Sequence, residues 1–261
     1  MIRRILRIAR REWLEQLRQP WMIAAIFGLF AAIGLLVVLA LTLLNHVAGH
    51  PELAAQLVHW LPAAGDDPQR LITGLVTSTV SLSNWLIFTQ FLGIVAVLAG
   101  HAVLHDQQVH TLPFLLLAPI SRAELLAGKV LGAIGLPFVL YVFVSGSAST
   151  LAAMLPVTAP VADRLPPAAA WTIAFFAGGP LWAMVVASLC AIVSTLSRDV
   201  RTAQQAVWFV MFFATFVCGY LLAVLVPRGA LVQLAVAGAG ALATWGILAA
   251  GSQIISRDLP R

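Results

Sequence analysis

Six long stretches of this chain contain no Asp, Glu, Lys or Arg, and no other feature limits its fold as much. They run over about 21–44, 79–104, 130–155, 171–196, 202–226 and 230–256. A helix needs about 20 mostly apolar residues to cross a bilayer. Lipid offers no hydrogen-bond partner to an open strand edge, so a spanning segment is a helix or part of a closed barrel. The alternating pattern of barrel strands is absent from the sequence. The expectation is an all-α polytopic membrane protein with six transmembrane helices, a single transmembrane domain over residues 1–261. Composition agrees: 61% of residues are hydrophobic and 10% charged, which excludes a disordered chain, a soluble enzyme domain and an ordinary nucleic-acid binder. Cys190 and Cys218 lie inside apolar runs, where a thiol acts as a small hydrophobe.

The basic residues set the expected orientation. With the N-terminus in the cytoplasm, twelve Lys and Arg fall inside, among them Arg10, Arg11, Arg18, Arg122, Lys129 and Arg198. Three, Arg70, Arg164 and Arg228, fall outside. That asymmetry supports cytoplasmic N- and C-termini. The first apolar stretch is much longer than a signal-peptide core of about 7–15 residues, so it reads as a retained helix.

Residues 2–19 are expected to form an amphipathic interfacial helix that Pro20 ends. Ile2, Ile5, Leu6, Ala9, Trp13 and Leu17 share its apolar face, and Arg10, Arg11, Glu12 and Glu15 fall on the polar remainder. Such a helix lies among headgroups with its basic face to anionic lipid. It is either a topology anchor or a surface that also meets a cytoplasmic partner. The outer loop, 45–78, contains a second short helix over 51–61, opened by Pro51.

Catalytic and ligand-binding chemistry is sparse. His46, His50 and His59 share the outer loop with Asp66 and Asp67, a donor set that suits zinc or copper. Gly49 and Pro51 argue against one continuous helix there, and solvated loop histidines are the simpler reading. His101, His105 and His110 cluster at the inner end of the second span. No Asp or Glu lies within any span, which argues against a proton-coupled carrier. Ser145, Ser147, Ser149 and Thr150 form the main polar stripe and are possible pathway-lining residues. Small residues there, like Ala235, Ala239 and Ala243 in the sixth span, equally suit helix packing. A phosphate-binding loop needs G-x-x-x-x-G-K-[ST], and the nearest stretch, residues 123–130, lacks its first glycine and its hydroxyl. No catalytic, cofactor-binding or metal residue is assigned. If ATP drives this protein, another chain binds it.

The inner loop over 105–129 is unusual. Thr111 can cap a short helix whose Leu112, Phe114, Leu115, Leu116 and Leu117 are too few to span, and Pro119 ends it. Ser121 with Glu124 three residues later forms a capping box for a helix running through Gly128-Lys129 into the third span. An apolar helix at the cytoplasmic surface must be covered by lipid or by a docked partner.

This loop resembles that of type-2 ATP-binding-cassette (ABC) exporter permeases. Their pattern of an acidic patch, Gly-Thr-Leu, a leucine run, Pro, Ser-Arg, Glu-Leu and Gly-Lys corresponds to Asp106, Thr111-Leu112, Leu115 to Leu117, Pro119, Ser121-Arg122, Glu124-Leu125 and Gly128-Lys129. His110 stands where the family usually has Gly. The start REWLEQLRQPW is similar to the family's interfacial helix, with Arg10, Arg11, Glu12, Trp13 and Leu17 its matching residues, and ISRDLPR to its basic end. The resemblance implies a permease subunit in a bacterial cytoplasmic (inner) membrane. It implies a second permease subunit, identical or related, and two separate ATPase subunits that bind ATP and Mg and dock on the loop. Many relatives place re-entrant outer helices between the fifth and sixth spans, where this chain has only Pro227-Arg228-Gly229. The rival readings are a membrane-anchoring or assembly subunit that transports nothing, and a metal- or haem-handling membrane protein.

Overall fold

A computed structural model describes residues 2–50, 52–53, 56, 68–108, 120–156, 174–197, 199–225 and 230–258. Seven long helices account for most of them: α1 (Ile2–Leu17), α2 (Pro20–Ala48), α3 (Pro68–Gln108), α4 (Arg122–Met154), α5 (Gly179–Leu196), α6 (Val200–Leu225) and α7 (Ala230–Asp258). No strand occurs among the described residues. Five segments are long and apolar enough to cross a membrane: Pro20–Ala48, Leu71–Asp106, Arg122–Ala152, Phe176–Leu196 and Leu234–Gln253.

Local chemistry explains the helix ends. Pro20 opens α2, where its missing N–H costs nothing, and separates it from α1. Ser121 caps α4: its hydroxyl accepts from the Glu124 N–H at 3.1 Å while the Glu124 carboxylate accepts from the Ser121 N–H at 2.8 Å. The capping box expected from sequence is present, and the helix it starts continues without a break past Lys129. Asp199 opens α6 by accepting from the Thr202 N–H at 2.7 Å and the Thr202 hydroxyl at 2.8 Å. Those two bonds hold its carboxyl below the usual carboxylate range.

Two boundaries differ from the sequence reading. Helix α3 begins at Pro68, not near residue 79, because the polar run after Asp67 is helical despite its low hydropathy. Its hydroxyls need no outside partner, since Thr77 and Ser83 donate to the Thr73 and Thr79 carbonyls one turn back. The loop drawn over 45–78 is therefore shorter, and α2 also extends to Ala48. The entry to α5 is a π-helical turn over Ala174–Gly178, followed by Gly179 and Pro180. Of the short helix expected over 51–61, Glu52, Leu53 and Gln56 are helical, and its other residues lie outside the described ones.

Helix α3 is the centre of the bundle. It packs most extensively on α5 and also touches α2, α4 and α6. Its buried row Phe88, Phe91, Leu92, Val95, Ala99 and Val103 repeats at helical spacing. Tyr141 of α4 stacks on Phe91, with ring centroids 4.5 Å apart. Gly100 lets α6 and α5 approach: a Cβ there would lie 2.8 Å from Val207 and 3.2 Å from the Ser194 hydroxyl. In α7 the face turned inward carries Ala237, Gly240 and Thr244. Ala235, Ala239 and Ala243, suggested as packing positions, are exposed. The alanine repeat is real, but small residues one or two places further along meet the bundle.

Candidate functional site: a charged clasp at the base of the 109–120 loop

The clasp is built from α1, the last turn of α3 and the second turn of α4. Helix α1 packs on α4 almost as extensively as α3 does on α5. Its docked side carries Ile5, Ile8, Ala9, Glu12 and Gln16, while Ile2, Leu6, Trp13 and Leu17 are exposed beside it. This differs from the two-faced helix read from sequence, where Glu12 fell on the polar side. Glu12 and Gln16 are the buried residues of α1, and the helix has three faces: docked, apolar and basic.

Glycines on α4 make the docking possible. A Cβ at Gly128 would stand 2.6 Å from Ile8, and one at Gly132 would stand 2.5 Å from the Glu12 Cβ. At Gly135 it would fall within the Trp13 indole. The spacing of four and three places these glycines on one face of α4. The Gln16 side-chain amide donates to the Gly132 carbonyl at 3.3 Å.

Lys129 lies at the centre and is 2% exposed. Its ammonium donates to Glu12 Oε1 at 2.9 Å and to the Ala102 carbonyl at 2.9 Å. It also forms an ion pair with the Asp106 carboxylate. Asp106 and Glu12 are themselves buried. Of the three N–H donors of an ammonium, two are hydrogen-bonded here, and the Asp106 carboxylate adds a second negative charge beside it. Isolated buried charges are costly, so burial of Lys129 depends on both carboxylates being in place.

Glu12 shares this ammonium with Asp106 in a buried setting. Burial raises its carboxyl above the ordinary range, Lys129 opposes that, and Asp106 and Glu15 add to it. Arg11 lies at the rim, donating to Glu15 at 2.8 Å. Because the docked state raises the Glu12 pKa, docked α1 binds a proton more tightly than released α1. The docking contribution of this group is full below the ordinary carboxylate pKa and is lost as pH rises through the raised value. We expect a nitroxide at position 10 to gain mobility across that window as pH increases. Glu12→Gln should remove the trend, and mobility that falls with rising pH would show that Lys129 outweighs burial.

Of the residues singled out in the sequence, Asp106, Lys129 and Glu12 meet in the clasp, Gly128 packs on Ile8 beside it, and Ser121 and Glu124 form the separate cap that starts α4. Thr111, Leu112, Leu115, Leu116 and Pro119 lie outside the described residues. Arg10 and Leu17 are exposed on α1, and Arg122 begins α4. The serine stripe is elsewhere. Ser145 is buried, whereas Ser147, Ser149 and Thr150 are exposed on the outside of the bundle, Ser147 and Thr150 along an open groove with Phe143, Gly146 and Met154. The Ser147 and Thr150 hydroxyls donate to the Phe143 and Gly146 carbonyls.

Among the described residues no group of three or more His, Cys, Asp or Glu is placed to hold a metal. The His46 and His50 rings lie 4.3 Å apart, with His50 Nδ1 2.8 Å from the His46 carbonyl oxygen. His59 lies outside the described residues. The His101 and His105 rings stack on the side of α3.

Sequence reasoning missed the docking of α1. The available signal was the Gly128, Gly132, Gly135 spacing, a small-residue pattern that admits a neighbouring helix. Compared with known families, residues 6–236 match the family model described as ABC-2 family transporter protein. No curated protein matches the sequence.

Proposed function

The chain belongs to the ABC-2 transporter family, and from that premise we propose that it is the permease subunit of an ATP-driven exporter, working with a second permease subunit and two separate ATPase subunits. The observation that carries this reading is the family match over residues 6–236. The family's members are membrane subunits of ABC transporters, generally without enzymatic activity of their own.

The proposed arrangement has six spans in a bacterial cytoplasmic membrane, with both termini inside. Beyond the five apolar spans, α6, a 26-residue helix and the fifth of the six in chain order, is taken as a further span. In this orientation the clasp lies at the cytoplasmic surface, and residues 109–120 between α3 and α4 belong to the cytoplasmic side that meets the ATPase. The partner subunits bind ATP and Mg. ATP-driven closure of the ATPase pair would press on the loop and move α3 and α4 together. The face carrying Ser147, Ser149 and Thr150 is exposed in this single chain. We assign it to the second permease and the pathway between them, since exposed hydroxyls gain little from lipid.

The test is reconstitution with the candidate ATPase. The pure chain should hydrolyse no ATP, and the complex should hydrolyse it. Robust turnover by the chain alone, or failure of every candidate ATPase to co-purify, would sink the reading. Topology is checked separately. A cysteine at position 66 should react with an impermeant label from outside, and cysteines at 107 and 199 only from inside. Outside labelling at 107 would reverse the orientation. Replacing His46, His50 and His59 together by Ala should leave the complex's ATP turnover within about twofold. Loss of a stoichiometric bound metal together with turnover would favour the metal-handling reading.

A further inference from the structure

We infer that Lys129 is a positioning residue: its ammonium joins α1, α3 and α4 at the base of the 109–120 loop, so that the two legs of the loop and the N-terminal helix move as one body. This rests on the permease reading for its consequence, though the geometry stands without it.

Packing and charge divide the task. The glycine face of α4 holds α1 against α4 through Ile8, Glu12 and Trp13. Helix α3 packs on α4 through apolar side chains of one core cluster, Ala99 and Val103 on α3 and Leu126 and Val130 on α4, but α1 itself scarcely touches α3. Lys129 extends the connection to α3, because two of its partners, the Ala102 carbonyl and Asp106, stand one turn apart at the end of that helix. The third, Glu12, stands on α1. Lys129 therefore grips α3 at two points and α1 at one, from a root in α4. Asp106 precedes the loop by three residues and Lys129 follows it by nine, about two turns into α4, so the clasp ties together the two helices that flank the loop.

The choice of charged groups argues for positioning above stability. A buried ion cluster often stabilises a fold no more than apolar side chains of similar volume would. Apolar groups, however, slide and repack, whereas two N–H donors directed at the Glu12 carboxylate and the Ala102 carbonyl, with Asp106 paired to the same ammonium, favour one register. A rigid tie matters where a load must pass from a short loop into two helices without being absorbed by their separation.

The experiment uses the complex with its ATPase in lipid nanodiscs. Three versions are compared: Lys129→Arg, the charge-free triple Glu12→Leu, Asp106→Leu, Lys129→Met, and the wild type. Nitroxide pairs report the distance from Arg7 on α1 to His101 on α3, with and without a non-hydrolysable ATP analogue. The wild type should give one narrow distance in both states. The triple variant should keep its melting temperature within a few degrees and still co-purify with the ATPase. Its α1–α3 distance should broaden, and its ATP turnover should fall at least fivefold. Lys129→Arg should retain a narrow distance and most of the turnover. If the triple variant does not insert, Glu12→Gln, which keeps the side chain's size and an acceptor for Lys129 while removing its charge, is expected to broaden the distance to a smaller degree. A narrow distance and wild-type turnover in the charge-free variant would overturn the proposal, leaving the cluster a structural ornament of packing. If the wild type itself fails to bind any ATPase, the permease reading fails. The distance comparison on the isolated chain then still decides the clasp.

Discussion

Leu116→Asp is expected to weaken capture of the ATPase subunits by about 30-fold or more while leaving membrane insertion intact. Residues 111–118, TLPFLLLA, join four leucines and a phenylalanine in a segment too short to span. The segment is nearly continuous in apolar character, so lipid on one side leaves another side needing cover. In the permease reading that cover is a groove on the ATPase. An aspartate placed in such a contact must either remain charged in a dry site or take up a proton, at a cost of roughly 2–4 kcal/mol. Each ~1.4 kcal/mol is tenfold in affinity, so the association should weaken by about 30-fold to several hundredfold. Co-purification and a binding titration measure it. The membrane helices are untouched, so yield and melting temperature should stay near wild type. Full association by the variant would remove this face of the loop from the docking surface, and the anchoring-subunit reading would gain most.

What the sequence made legible follows the range of each interaction. The capping box of Ser121 and Glu124 is a contact three residues long, and local spacing reveals it. The long helices were equally legible, because lipid-soluble stretches need only hydropathy and length. The start of α3 at Pro68 was hidden, since residues 68–78 carry Arg70 and several hydroxyls and read as loop. Helicity there is not a matter of hydropathy. Glu12 was hidden for a different reason. On a helical wheel it borders the polar arc, and only Lys129, 117 positions away, turns that border into an interior. The same distance in sequence concealed the meaning of Asp106 and Lys129. Both were noticed as loop residues, but their common partner lies on α1. A separation of about one hundred residues leaves no periodic trace in a single chain.

Gly135→Leu is expected to expel α1 from the bundle. The Cβ alone would occupy space held by the Trp13 indole, a rigid group that cannot retreat by a small rotamer change. Overpacking of this kind costs about 1–3 kcal/mol where neighbours can adjust. Here the cheaper adjustment is to lift α1, whose exposed Ile2, Leu6 and Leu17 can remain in contact with lipid after release. Release would also remove Glu12 from Lys129, leaving the ammonium with Asp106 and the Ala102 carbonyl. Limited trypsin digestion reads the change, because α1 and the residue after it contain Arg3, Arg4, Arg7, Arg10, Arg11 and Arg18. Cleavage within this segment should accelerate about tenfold or more in the variant. Gly146 provides the control on the same helix: a Cβ there meets nothing within 4 Å. Gly146→Ala should leave cleavage unchanged and, by the helix propensity of alanine, add up to about 1 kcal/mol of helix stability. Equal protection of α1 in the Gly135 and Gly146 variants would mean that α1 is not held by the glycine face. The burden of holding it would then pass to the charges around Lys129, a division that the charge-free variant measures from the other side.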